Sequence, residues 1–328
     1  MSSGPAAPVS IVVPDDFPPV ITGTMAERRL QNLGNLRVFK ERGANEEEEL
    51  IRRIGDAQVL VNIRAHARIT ARVIRACPRL HMISVWGTGT DHIDLAACRA
   101  RGIPVANTPG VNAHAVAEHT MALMLAVTRR IPSMDAGVRA GQWPRGLLVQ
   151  LEGKTLGLVG LGAIGQRVAA LAATFGMRLL ASTYGPDDGR AASVGARHVQ
   201  IDTLLPESDI VSLHLRLSAD TLGYISQERL ALMKPTAFLI NTARAALVDR
   251  DALLTALRDG RIAGAGLDVF HEEPIAPGDP ILSLSNVVLT PHDAGMTQEV
   301  IDVGLQTAVE NVERFLQGTP QHVVIGTQ

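Results

Sequence analysis

The chain has only two cysteines, Cys77 and Cys98, and neither stands in a spacing that metal or redox sites use. A disulfide framework is excluded, and both residues read as reduced core thiols of a cytoplasmic protein. Net charge is nearly absent as well, with 31 Lys and Arg against 33 Asp and Glu. Without a broad basic field, nucleic acid is not an expected partner. Long apolar runs are missing: the stretch at 121–127 is far too short to span a bilayer, so no membrane segment is expected. The N-terminus lacks the basic and apolar regions of a signal peptide, and residues 1–8 read as a disordered leader. No fixed-period repeat is visible. No cluster of ligand-type residues points to a metal.

What is present is an ordinary globular composition, 46% hydrophobic and 20% charged, at a length of 328 residues that favours two domains. From residue 9 onward, short apolar runs alternate with amphipathic stretches, the signature of α/β units around a parallel sheet. Strands are expected at 9–13, 36–39, 59–63 and 82–86, with helices at 24–33, 46–54 and 70–76. The run Glu46-Glu47-Glu48-Glu49 reads as a solvated helix start rather than an acidic binding surface, because the helix dipole favours carboxylates there. Asn107-Thr108-Pro109-Gly110 is a turn. Beyond it, 113–130 is a helix apolar almost all round, a pattern that implies burial between two domains or two subunits, and 131–142 continues as a second helix.

A second α/β series follows, with strands at 156–159, 178–182, 210–213, 237–240, 266–269 and 287–289. The helix at 298–316 is too apolar on one face to stand alone and is inferred to cross back to the N-terminal unit, before an extended tail at 322–325. The fold class is therefore α/β with two Rossmann-like or flavodoxin-like parallel-sheet domains. One domain, 108–296, is inserted into a discontinuous one, 9–107 plus 297–328; the glycine turn at 160–165 makes the inserted one the cofactor domain and leaves the other as the substrate domain.

The chemistry-bearing residues fall at predicted strand ends. Gly160-Leu161-Gly162-Ala163-Ile164-Gly165 follows the strand at 156–159 and opens a helix. Gly160 allows the tight turn, Gly162 lets a pyrophosphate approach the backbone, and Gly165 lets helix and strand pack closely. The helix start then offers free N–H groups and partial positive charge to phosphates. The position that contacts the adenosine ribose falls on Thr183, where NAD-selective sites carry Asp or Glu. No Lys or Arg follows before Arg190, so the cofactor is NAD or NADP, with selectivity undecided. Arg244, at the end of the strand at 237–240, suits a substrate carboxylate and a neighbouring carbonyl. Glu273 and His292 lie just beyond two further strands, and a carboxylate partner fixes an imidazole's tautomer for proton transfer. Taken singly, Arg244 fits a surface ion pair and His292 a packed imidazole. Chain spacing does not establish that Glu273 and His292 meet.

Together these residues closely resemble the D-isomer-specific 2-hydroxyacid dehydrogenases, from about residue 59 to 323. The resemblance rests on Gly87-Thr88-Gly89-Thr90-Asp91-His92-Ile93-Asp94, on Asn107-Thr108-Pro109-Gly110-Val111-Asn112-Ala113 with Val116-Ala117-Glu118, and on the glycine turn. It continues through Met233-Lys234-Pro235, Ile240-Asn241-Thr242-Ala243-Arg244, Gly266-Leu267-Asp268-Val269-Phe270, Glu273-Pro274 and Thr290-Pro291-His292. The resemblance implies an oxidoreductase that interconverts a small 2-keto acid and its D-2-hydroxy acid. It assigns Arg244 to the substrate and Glu273 with His292 to proton transfer. Asp268 would contact the nicotinamide amide, and Ala163 and Ile164 the pyrophosphate. Thr88 and Gly89 would face the substrate carboxylate and nicotinamide through backbone N–H groups. Arg64 and Ala65 align with a substrate-facing loop where relatives often carry Arg-Ser. Thr242 and Ala243 join the cofactor contacts, as do Leu215 and Arg216, which lie near the expected adenine pocket. A homodimer through 113–143 is implied too.

Four departures from the family pattern stand out: Ala245 where glycine is usual after the arginine, Arg216 in place of a common proline, Asp293 after His292, and Thr183 in the acidic ribose position. The alternative reading is a dinucleotide-sensing corepressor on the same fold, although no peptide-binding extension or charged tail supports it. The two are separated by turnover across a panel of 2-keto acids.

Overall fold

The computed structural model describes residues 8–183 and 188–325; most of the expected leader lies outside them. The chain divides into two compact units, one formed by the chain up to Asn112 with the chain from Thr297 onward, the other by Ala113–Met296.

The first unit opens with β1 (Val9–Val13), β2 (Gly34–Val38), β3 (Val59–Asn62), β4 (Met82–Val85) and the two-residue β5 (Val105–Ala106). The second contains β6 (Thr155–Val159), β7 (Arg178–Ser182), β8 (Arg197–His198), β9 (Ile210–Leu213), β10 (Phe238–Asn241), β11 (Gly264–Leu267) and β12 (Val287–Leu289). The chain then returns to the first unit with the Gln298–Leu316 helix and β13 (Val323–Ile325).

In the first unit the sheet order is β13-β5-β4-β3-β1-β2, parallel except for β13, which pairs antiparallel with β5. β3 and β4 are buried along their whole length, as befits strands covered by helices on both faces. Side-chain caps start several of the helices: Thr24 accepts from Glu27 N, Thr70 from Val73 N and Thr297 from Val300 N. The apolar face of Gln298–Leu316 is accounted for here, since Leu305, Val309 and Val312 enter the same core as Ile11, Val61 and Met82. Both cysteines are buried free thiols, and burial, with Asp94 nearby, pushes the Cys98 thiol up to about 11.

The second unit is an all-parallel sheet ordered β12-β11-β10-β9-β6-β7-β8. Strand order reverses between β6 and β9, and ligands of such sheets bind in the crevice beyond the carboxyl ends at that reversal. The apolar helix proves to be Ala113–Thr128, and Met121, Leu123, Met124 and Val127 pack into this unit's own core with Leu158, Val168 and Ile240. Its hydrophobicity thus has a partner inside one unit. Among the described residues no helix is long and apolar enough to cross a membrane.

Boundary differences have local causes. β2 and β11 begin at Gly34 and Gly264, ahead of the apolar runs that signalled them. A Cβ at Gly34 would lie 2.0 Å from Val9 O, and one at Gly264 2.4 Å from Asn286 O, so neighbouring backbone occupies the space a side chain would need. β5 and β8, two residues each, are too short to leave a periodic signal.

Candidate active site

The turn after β6 is shaped by glycine sterics. Gly160 has φ +98°, and a Cβ there would lie 2.7 Å from the backbone carbonyl of His214, on the chain leaving β9. A Cβ at Gly165 would lie 2.4 Å from Gly160 O. These two glycines let strand, turn and helix close on one another. Gly162 differs: it caps the Ala163–Thr174 helix without a side-chain bond, and a Cβ there would meet nothing within 4 Å. The open space lies beside the first N–H groups of the helix, Ala163 and Ile164, which have no partner within it. Donors, dipole and clearance together fit a pyrophosphate.

At the end of β7, Thr183 Oγ1 lies 3.2 Å from His198 Nε2, brought alongside because β8 pairs with β7 at Ala181 and His198. Nothing along the chain signals His198, which rides on a two-residue strand. Arg190 donates to Leu161 O in the glycine turn at 3.4 Å. Leu215 is partly buried and Arg216 exposed where the chain leaves β9.

Beyond β10, the buried Asn241 shapes the loop that carries Arg244. Its Oδ1 accepts from Ala243 N at 3.0 Å, and its Nδ2 donates to Arg244 O at 2.9 Å. Thr242 and Thr120 hydroxyls lie 2.9 Å apart, fastening the loop to the Ala113–Thr128 helix, and Arg244 Nη1 donates to Ala243 O at 2.8 Å. Ala245 opens a 3-10 turn, Ala245–Leu247, without positive φ, so the loop requires no glycine there.

His292 and Glu273 do meet. Imidazole Nδ1 lies 2.7 Å from Glu273 Oε2, while Phe270 N donates to Oε1 at 2.9 Å. Burial by itself would raise the Glu273 pKa. The hydrogen bond and charge of His292, the Phe270 N–H and the Arg244 charge outweigh it and hold the carboxyl below the usual range. His292 has φ +56°, a left-handed conformation unusual outside glycine. The loop after it is clamped by Asp268, whose buried carboxylate accepts from Thr290 Oγ1 (2.6 Å), Asp293 N (3.1 Å) and Ala294 N (3.0 Å). His119 Nε2 reaches Thr290 Oγ1 at 2.9 Å and stands 3.6 Å from Asp268.

No cluster of ligand-type residues was visible along the chain, yet His119, Asp268 and Asp293 place donor atoms within 4.8 Å of one another. They come from three separate segments, so chain spacing hid them. Asp268's oxygens are already engaged by hydrogen bonds.

In the first unit, Gly87 (φ +140°) and Thr88 follow β4. Gly87 N donates to Thr108 Oγ1 at 2.8 Å, and Thr108 N to Gly87 O at 3.1 Å. Gly89 is partly buried and Ala65 exposed. Arg64 donates through Nη2 to Pro18 O, and its buried Nε has no partner. Burial lowers the Arg64 pKa, with Asp16 and Asp15 opposing.

Residues 121–294 match the family model for the NAD-binding domain of D-isomer specific 2-hydroxyacid dehydrogenases. The glyoxylate reductase of Korarchaeum cryptofilum is 39% identical over 307 residues, 91% of this chain and 92% of the relative. The chain belongs to the D-isomer specific 2-hydroxyacid dehydrogenase family. Among solved structures, D-lactate dehydrogenase from Aquifex aeolicus, complexed with NAD and lactic acid, superposes with TM-score 0.86 at 30% identity, over 97% of this chain and 100% of that one. An acyclic imino acid reductase in complex with NADPH and D-Arg also gives 0.86, at 33% identity over 96% and 99%. This family member is an oxidoreductase of the 2-hydroxyacid class and binds NAD or NADP.

Proposed function

We propose that the protein reduces a small 2-keto acid reversibly to the 2-hydroxy acid, with glyoxylate the first candidate; the product is then achiral glycolate, and larger 2-keto acids give the D isomer. Support for glyoxylate comes from the name of the relative that is 39% identical. The observation that carries the reading is the 2.7 Å contact of His292 Nδ1 with Glu273 Oε2, beside the charge of Arg244. With Nδ1 engaged, Nε2 is the imidazole nitrogen left to give a proton to the substrate oxygen. Glu273 supports the charged imidazole before that transfer. Arg244 offers paired N–H donors to the substrate carboxylate and polarises the adjacent carbonyl. Thr88 and Gly89 offer backbone N–H groups for a substrate carboxylate, and Arg64 and Ala65 belong to the substrate-facing loop. Gly160–Gly165, Thr183, Leu215, Arg216, Thr242, Ala243 and Asp268 form the cofactor contacts. Bound NADH or NADPH supplies the hydride for the carbonyl carbon.

The protein acts as a cytoplasmic homodimer in this reading. The buried free thiols support the first part. The exposed apolar side chains of Ile131, Val138, Trp143, Leu147 and Leu148 support the second.

His292→Ala and Arg244→Ala, with folding checked by circular dichroism, are each expected to lower kcat/KM for glyoxylate by about 10²-fold or more. Near-wild-type turnover in either variant overturns the roles.

A further inference from the structure

We propose that Asn107 and Asn311 are positioning residues that aim the backbone N–H groups of Thr88 and Gly89 at the substrate carboxylate. The inference rests on the reading of that turn given above. It starts from peptide geometry. The peptides from Gly87 to Thr88 and from Thr88 to Gly89 are trans, so each N–H points opposite to the carbonyl it shares a plane with. Fixing a carbonyl therefore fixes where the next N–H points.

Both carbonyls are fixed from one side. Gly87 O accepts from Thr108 N at 3.1 Å, which turns the Thr88 N–H away from residues 107–108. Thr88 O accepts from the side-chain Nδ2 of Asn107 at 2.8 Å, which does the same for the Gly89 N–H. Two adjacent donors are thus presented on the outer side of the turn, the arrangement that a carboxylate's two oxygens require. The Thr108 bond is made by backbone and is available to any residue except proline. The Asn107 bond depends on the side chain, because an amide of that length supplies the donor.

Asn107 is itself held. It is 4% exposed, its N donates to His322 O at 3.1 Å, and its carbonyl accepts from Asn311 Nδ2 at 2.9 Å. Asn311 lies on the Gln298–Leu316 helix, fully buried, with Oδ1 lacking any partner. An apolar residue there would avoid leaving a buried acceptor unsatisfied, so packing gives no reason for an amide. Its donor end does. The helix is pressed against this region: Ser84 Oγ donates to Ala308 O at 2.7 Å, and a Cβ at Gly304 would lie 2.1 Å from the indole nitrogen of Trp86. The closing helix thereby backs the turn through a relay of two amides.

The test uses Asn107→Ser, too short to reach Thr88 O, Asn107→Asp, which cannot donate, and Asn311→Leu, similar in volume. Glyoxylate reduction is measured at saturating cofactor, with cofactor Kd measured separately by fluorescence. KM for glyoxylate is expected to rise about tenfold in the Asn107 variants and about threefold in Asn311→Leu, with kcat and cofactor Kd changing less than about twofold. A merely structural role would instead lower melting temperature and active fraction together while leaving KM in place. Unchanged KM in a folded Asn107 variant overturns the proposal. If neither Asn107 variant folds, unchanged KM in Asn311→Leu does so. Wild-type protein that reduces no 2-keto acid overturns the underlying reading and this inference with it. Activity lost in Arg244→Ala but KM unmoved in the Asn107 variants overturns this inference alone.

Discussion

Glu273 commits one oxygen to the Phe270 N–H and the other to the His292 imidazole, and its pKa is held low as a result. A carboxyl whose folded pKa is depressed stabilises the fold above its unfolded value, about 4.3, and the contribution fades as pH falls through the lower folded value. Glu273→Gln removes that term, so its thermal stability should decline less steeply than wild type below about pH 5. Melting curves that stay parallel across that window would show that the pair adds no pH-linked stability. Thr183 gives the second prediction at this scale. It carries no charge, and its hydroxyl lies beside the His198 imidazole, so it does not itself repel a 2′-phosphate. Thr183→Asp should lower kcat/KM with NADPH by about tenfold or more while sparing NADH, through charge repulsion and a bond to the free 2′-hydroxyl. Paired initial rates with the two cofactors decide it, and equal losses with both would sink the idea.

The glycine turn and its helix make the element-scale case, because three glycines of one motif do two different jobs. A methyl at Gly165 meets the Gly160 carbonyl at 2.4 Å, so Gly165→Ala should destabilise the protein by about 1–3 kcal/mol in urea unfolding. A methyl at Gly162 meets nothing within 4 Å, so Gly162→Ala should leave the unfolding midpoint in place and weaken cofactor binding. The reverse pattern would falsify the assignment of Gly162 to the pyrophosphate. Element by element, much of the fold was legible. The strands at 178–182, 210–213 and 287–289 and the closing helix at 298–316 have the bounds read from apolar periodicity. Illegible elements were those whose cause is not local: β5 and β8 exist because a neighbouring strand accepts them, and β2 and β11 start at glycines that carry no hydrophobic signal.

For the whole molecule, the exposed apolar side chains between Ile131 and Leu148 are one group that the described chain leaves uncovered. Trp143→Glu combined with Leu147→Glu should convert a dimer to a monomer in sedimentation velocity, because a buried unpaired charge costs several kcal/mol at an interface. Wild-type protein that sediments as a monomer at micromolar concentration would end the proposal. By itself the sequence determined the α/β alternation, the glycine turn and the placing of Arg244, Glu273 and His292 just after strands, since period, turn chemistry and composition act over a few residues. Only the tertiary structure decided which groups touch. Glu273 and His292 are 19 residues apart along the chain, His119 and Thr290 are 171, and Asn107 and Asn311 are 204. Such distances follow from strand order and from which helix covers which sheet, and those are fixed by packing of the whole core, which no local pattern encodes.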